Sequence, residues 1–184
     1  LGYTRIDQLT ARPDVLHLVA ETMRRESGIP LRRRYEGCDP MFTPAGFDDY
    51  VDVLLRRMLN PYVRDTVARV GRDPARKLGW DDRLIGAMRL AAAAGVDPQG
   101  YALGAAAALA ALGVPPAERA AYLQRLWRTG AADGSEPPPG EEQAVLDAVA
   151  RAALRLGQWS AAGFPPLTAW NLLGTNTNLG VTYE

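Results

Sequence analysis

The chain has 184 residues, 21 Lys and Arg against 21 Asp and Glu, and is 47% hydrophobic and 23% charged, a profile that excludes a disordered segment and suits one folded domain with a sizeable core. A net charge of zero, with no basic run longer than Arg32-Arg33-Arg34, argues against a nucleic-acid partner. Cys38 is the single cysteine, so an internal disulfide is excluded and a reduced, cytoplasmic setting is expected.

The punctuation reads helical nearly throughout. Pro13 to Arg25 carries Val15, Leu16, Val19 and Met23 at helical spacing, and Gly28 and Pro30 are expected to stop that helix. Thr43-Pro44 reads as an N-cap followed by Pro at the first helical position, ahead of the stripe Phe47, Tyr50, Val51, Leu54, Leu55 and Met58. Asn60-Pro61 repeats the device. The helix expected from it puts Val63, Val67 and Val70 on one face and Asp65, Arg69 and Arg72 on another. An irregular stretch from Arg72 to Trp80 follows, with Asp73-Pro74 as turn chemistry.

Four further helices are expected. The first starts near Asp81 or Asp82 and ends at Gly95; the others run from about Tyr101 to Leu112, Pro115 to Arg128 and Glu141 to Leu156. The Pro-rich loop between Gly130 and Gly140 is polar. No stretch alternates as a strand, and no repeat of fixed period occurs. The fold expected is therefore all-α, a single irregular multi-helix domain of about seven helices over 1–157. The segment 158–184 is expected to be an irregular tail, docked on the helices through its aromatics Trp159, Phe164, Trp170 and Tyr183.

No membrane segment is expected, because the uncharged run Pro98 to Ala117 is broken by glycines and prolines and is rich in Ala. The chain opens on Leu1 without a charged-then-apolar leader. It has the register of a sequence already under way, and a longer parent polypeptide is expected.

Self-contained chemistry is sparse. His17 lies a turn from the apolar stripe of the first helix and reads as a structural histidine. Cys38 has no second Cys or nearby His with which to form a metal site or a nucleophile pair, so no metal is expected. No Gly-rich phosphate loop, HExxH or GxSxG is present. Of the 21 basic residues, Lys77 is the only Lys; an ammonium and a guanidinium differ in shape, hydration and ease of pKa tuning, which singles this position out.

The segment from Asn60 to Ile85, NPYVRDTVARVGRDPARKLGWDDRLI, resembles the segment that marks the C-terminal helical domain of the polyol-specific long-chain dehydrogenase, or mannitol dehydrogenase, family, most nearly in its mannitol-1-phosphate dehydrogenase branch. The shared pattern is an NP start, a D-x-V-x-R-V-G-R-x-P-x-R-K-L core and a following D-R-L-I. Gly2-Tyr3, Asp7-Gln8 and Glu26-Ser27-Gly28 also fall where that family places similar residues, and the likeness runs from about Gly2 to Leu109. It implies a 6-phosphogluconate dehydrogenase C-terminal-like fold. It further implies an N-terminal Rossmann domain in the same polypeptide that binds NAD, and a helical domain that closes over a polyol or polyol phosphate.

By the same resemblance the catalytic Lys, Asn and His belong to a helix before the position of Gly2-Tyr3, outside this chain, so the isolated chain is expected to be inactive. Two departures stand out: Gly86 occupies a position where the phosphate-specific branch often has Lys, and Leu109 one where it often has His. The substrate contacts implied are Arg69 and Lys77, with Arg72 and Arg76 beside them. Asp65, four residues before Arg69, is placed to orient the guanidinium for a planar grip on hydroxyls or phosphate. The competing expectation is a diverged, non-catalytic helical module that docks a partner through its aromatic tail.

Overall fold

The computed structural model describes residues 3–130 and 137–166. Within them the chain folds into α-helices, three short 3-10 turns and one π-helical stretch, and the extended pairing is an isolated antiparallel bridge between Arg5 and Thr66. The all-α expectation holds. The last part of the expected tail, 167–184, lies outside the described residues.

The first layer starts with α1 (Ile6–Thr10) and α2 (Pro13–Glu21). Pro13 takes the first helical position, where its missing N–H is no loss. Gly28 and Pro30 do not stop this helix. It passes through a π-helical stretch, Thr22–Ser27, straight into α3 (Gly28–Arg34). A helical proline presses its ring on the carbonyl four residues back; here that carbonyl belongs to Glu26, inside the π-helical stretch, whose wider turn makes room for it. Gly28 serves packing, because a Cβ there would lie 2.8 Å from Cε1 of Phe47.

Phe47 is carried by α4 (Pro44–Leu59), whose N-cap Thr43 accepts a hydrogen bond from the Gly46 amide at 3.1 Å as its Thr-Pro signature implies. The helix expected from Asn60-Pro61 is not formed as one piece. Pro61–Val63 makes a single 3-10 turn, Arg64 enters the left-handed region at φ 45°, and α5 (Val67–Gly71) begins only after Thr66. The stretch expected to be irregular contains α6 (Pro74–Lys77), entered through Asp73 at φ 52°. α7 (Ile85–Ala93) starts later than expected because residues 79–84 are used in turns, one of which ties the Leu84 amide to the Lys77 carbonyl at 3.2 Å.

The core lies in the second layer, formed by α7, α8 (Gln99–Ala111), α9 (Arg119–Gly130) and α10 (Pro139–Ala161). α8 is the central helix: Ala102, Leu103, Ala105, Ala106 and Leu109 are all buried. Its alanines let neighbouring helices approach closely, and a helix apolar on every side is a buried one. No single helix among the described residues is long and apolar enough to cross a membrane. α10 runs on to Ala161, past the expected end at Leu156, and Trp159 packs edge-on against Phe164, with ring centroids 5.0 Å apart.

The two layers are locked by Glu26. Its side chain is 5% exposed and accepts from the Gly100 amide at 2.6 Å and the Tyr101 amide at 3.0 Å, the first free amides of α8. The N-cap of α8 is Pro98, which offers no side-chain acceptor, so Glu26 supplies the missing cap from another helix. A Cβ at Gly100 would lie 2.0 Å from Oγ1 of Thr22, so only glycine lets the π-helical stretch come this close. Burial pushes the Glu26 carboxyl above the usual carboxylate range, while the two backbone amides pull it back down.

A carboxyl raised in the folded state contributes stability that is full below the unfolded-chain pKa and declines as pH rises through the folded value. Urea unfolding across that pH range should show this decline in the wild type, and Glu26→Gln should remove it. Glu26→Ala leaves two buried amides without acceptors and should cost at least about 2 kcal/mol, at roughly 1 kcal/mol or more per unsatisfied group. An unchanged slope in the Gln variant and unchanged stability in the Ala variant would show the cap to be idle.

Candidate functional site

The segment from Asn60 to Leu78 is built by caps. The Asn60 side chain accepts from the Tyr62 amide at 3.0 Å and closes the 3-10 turn; Thr66 Oγ1 accepts from the Arg69 amide at 3.1 Å and starts α5. Between these caps the backbone pairs with the N-terminal segment, Ile6 N–H donating to the Asp65 carbonyl at 3.0 Å and Val67 N–H to the Thr4 carbonyl at 2.9 Å. At its far end Leu78 is fully buried, and its carbonyl accepts the Trp127 indole N–H at 2.8 Å. The basic residues are therefore displayed on a strap fastened at both ends.

Within the strap the expected Asp65–Arg69 pair forms. The guanidinium grips the carboxylate with two parallel hydrogen bonds, Nη2 to Oδ2 at 2.6 Å and Nε to Oδ1. Asp65 sits just before α5 and Arg69 inside it, so the pair links a turn to a helix and does not lie along one helix as the sequence suggests. Arg69 is the more exposed partner, and two of its five N–H donors are used, leaving three for a ligand. The hydrogen bond from Arg69 holds the Asp65 carboxyl below the usual carboxylate range.

The turn at Asp73-Pro74 reverses the chain, as its signature implies. It brings the Lys77 ammonium onto the Val70 carbonyl, next to Arg69 along the backbone. Arg72 and Arg76 are exposed and make no side-chain hydrogen bond or ion pair among the described residues. The strap thus presents five cations, Arg64 included, against Asp65 and Asp73. That excess of positive charge, with a forked guanidinium at its centre, suits vicinal hydroxyls or an anionic oxygen group.

Beneath the strap lies a hollow of about 230 Å³, bounded by Leu54, Arg57, Met58, Val63, Asp65 and Val70. Arg69, Arg72, Arg76 and Lys77 do not line it. Sequence reasoning missed the pairing of Thr4 to Ile6 with Asp65 to Val67, and with it the place of Arg57 and Asp7 beside the strap. Partners some 60 residues apart leave no local signature. A wider cleft of about 760 Å³ borders Asp81, Gly86, Arg89 and Glu141. Its Arg89 is engaged with Asp81 and Glu141 and stacked 4.2 Å from the Trp80 ring, a packing role. Among the described residues no group of three His, Cys, Asp or Glu side chains converges to hold a metal ion.

Residues 1–112 match the family described as the mannitol dehydrogenase C-terminal domain. The mannitol-1-phosphate 5-dehydrogenase of Caldanaerobacter subterraneus subsp. tengcongensis is 33% identical over 108 residues, 59% of this chain and 26% of that protein. The enzyme of the same name from Halalkalibacterium halodurans is 41% identical over 69 residues, 38% of this chain and 18% of the relative. That of Buchnera aphidicola is 39% identical over 85 residues, 46% and 20% of the respective chains. The chain thus matches about a quarter or less of the length of these relatives.

The Asp65–Arg69 pair makes a direct prediction. A carboxyl lowered in the folded state contributes stability above the unfolded-chain pKa, and that contribution is lost as pH falls through the folded value. An NMR titration should find Asp65 titrating below an ordinary Asp, and Arg69→Ala should return it to the ordinary range. If Asp65 titrates identically in both proteins, the fork is not formed in solution.

Proposed function

The chain belongs to the mannitol dehydrogenase C-terminal domain family, and from that premise we propose that it is the substrate-side domain of an NAD-dependent polyol or polyol-phosphate dehydrogenase, acting on a CH–OH group in a cytoplasmic setting. The observation that carries the reading is the strap. Within the matched residues it holds Arg69 in a carboxylate fork and Lys77 on the adjacent backbone carbonyl.

In this reading the chain's residues bind and orient. Arg69 donates through its remaining N–H groups to neighbouring hydroxyls of an acyclic sugar alcohol, and Asp65 keeps the guanidinium plane fixed so that little freedom is lost on binding. Lys77 adds a point charge for a terminal hydroxyl or phosphate. Arg72 and Arg76 strengthen the local field. Two positions where the phosphate-specific branch often carries a cation or an imidazole contribute neither here. Leu109 is fully buried in the core, and Gly86 packs so closely that a Cβ would lie 3.0 Å from the Asp81 backbone. In this reading the strap supplies charge for a phosphate.

The described residues do not fit a dinucleotide. They contain no strand–turn–helix unit with a glycine-rich turn, the arrangement that receives a pyrophosphate at a helix N-terminus. NAD and the acid–base residues are assigned to the segment of the full polypeptide that precedes this chain. The isolated 184-residue chain should accordingly give no polyol-dependent reduction of NAD, and measurable turnover by it would refute this division of labour.

The direct test is Lys77→Ala in the full polypeptide. KM for the polyol or its phosphate should rise at least roughly tenfold, about 1.4 kcal/mol, the order of one charge-assisted contact. Lys77→Arg should restore it only in part. The variant frees the Val70 carbonyl at the surface, where water replaces the ammonium, so the unfolding midpoint should barely move. Wild-type KM and kcat in Lys77→Ala would show the lysine to be a structural clasp alone.

A further inference from the structure

Between α9 and α10 lies an apolar groove of about 590 Å³, bordered by Ala120 and Leu123 of α9 and by Val149, Ala153, Gly157 and Ala161 of α10. Leu154 borders it too and is 66% exposed. Leu123 and Val149 are members of the buried core, so the groove opens onto core side chains. Its polar border is Arg119 and Gln158. Single exposed apolar residues need no explanation, but a contiguous apolar surface with a polar border marks a place where another segment packs. The groove lies wholly outside residues 1–112, the part that matches the family, so it is independent of the function proposed above.

We infer that residues 167–173 of the same chain fill this groove, with Trp170 as the anchor. Residues 167–184 lie outside the described residues, and their sequence carries no Asp, Glu, Lys or Arg before Glu184. Leu167, Trp170, Leu172 and Leu173 fall together at its start. A segment so poor in charge and rich in large apolar side chains gains from burial. The path of the chain delivers it to the right place. α10 ends at Ala161, on the groove; Gly163 turns the chain at φ 77°, and the Gly163 and Phe164 amides donate to the Ser160 and Trp159 carbonyls. The Trp159 indole then holds the Pro165 carbonyl at 2.7 Å, and Trp159 packs with Leu103 of α8. The chain therefore leaves on the α8 side of α10 and has one helix end to cross. A helix with its side chains is about 10 Å across, and four extended residues span about 13 Å, so Trp170 is the first aromatic able to reach the groove from Pro166. The polar border suits a backbone laid along it. Arg119 spends Nε on the Val114 carbonyl at 3.3 Å, and the Gln158 side chain makes no hydrogen bond among the described residues. Both keep donors for the carbonyls of a docked segment, which need partners once covered.

Hydroxyl-radical footprinting of the full polypeptide tests this, with the wild type set against a chain ending at Pro166 and against Trp170→Ala. Leu154 should label more slowly in the wild type than in either variant, while Leu90 keeps one rate throughout. In the shortened chain Leu154 at 66% exposure should label about one and a half times as fast as Leu90 at 44%. Equal Leu154 rates in the three proteins overturn the inference. If the shortened chain unfolds, the fully buried Leu109 labels as well, and Trp170→Ala and a cross-link then decide. A photo-crosslinker attached through Ala150→Cys, with the other cysteines replaced by Ser, should capture peptides from 167–184 of the same molecule. In a mixture of isotope-labelled and unlabelled protein, capture between labelled and unlabelled copies overturns the inference in favour of an exchange between two molecules. Capture of other peptides alone overturns it in favour of a different occupant.

Discussion

The structure turns on one buried carboxylate. α8 is the helix around which the core is built, yet it begins at a proline that can offer its free amides nothing. Unsatisfied amides at a buried helix end are costly, and the acceptor comes from Glu26 on the preceding layer. The arrangement constrains everything near it. The π-helical stretch Thr22–Ser27 sets where Glu26 sits; Gly100 must be glycine for Thr22 to approach; Gly28 must be glycine for Phe47 to fill the other side. The Ser27 and Tyr101 hydroxyls hydrogen-bond beside the carboxylate, and Arg33 reaches the Ala94 carbonyl at the end of α7.

From that lock the geometry passes outward to the strap. Phe47 seats α4 against Gly28, and α4 delivers Asn60, whose side chain starts the strap. At the other end the Trp127 indole holds the Leu78 carbonyl inside the core, and Trp80 packs edge-on against the same indole at 4.9 Å between centroids. The residues between are mostly exposed, Arg69, Arg72 and Arg76 among them, but their two ends belong to different layers. The relative position of Arg69 and Lys77 therefore depends on the layers staying in register, which is the work of Glu26. Binding groups on a framed segment of this kind lose little freedom when a ligand arrives.

The parts that were legible in the sequence are those fixed by neighbours in the chain. Thr43-Pro44 and Asn60-Pro61 announce their caps, Asp73-Pro74 its turn, and the spacing of Asp65 and Arg69 the fork between them. Glycine and proline misled where a distant contact decides. Gly28 and Pro30 carry a strong local stop signal, but the helix runs on, because a π-helical turn absorbs the proline ring and the glycine faces Phe47. The role of Glu26 has no local sign at all: it is defined by amides 74 and 75 residues away. Resemblance pointed to the Glu26-Ser27-Gly28 triplet and to Lys77, and geometry supplies a physical reason for each to be where it is.

Lys77 is the sharper case. In a chain where the other 20 basic residues are Arg, its ammonium rests on the Val70 carbonyl. An ammonium is a compact point with three donors, so one can be given to the backbone while two remain directed away from it. A guanidinium at the same place would lay a rigid five-donor plane across the turn. The compact ammonium keeps its remaining donors available to a third party. Under the function proposed above the two residues would divide the work, Arg69 setting orientation through its fork with Asp65 and Lys77 adding a point charge.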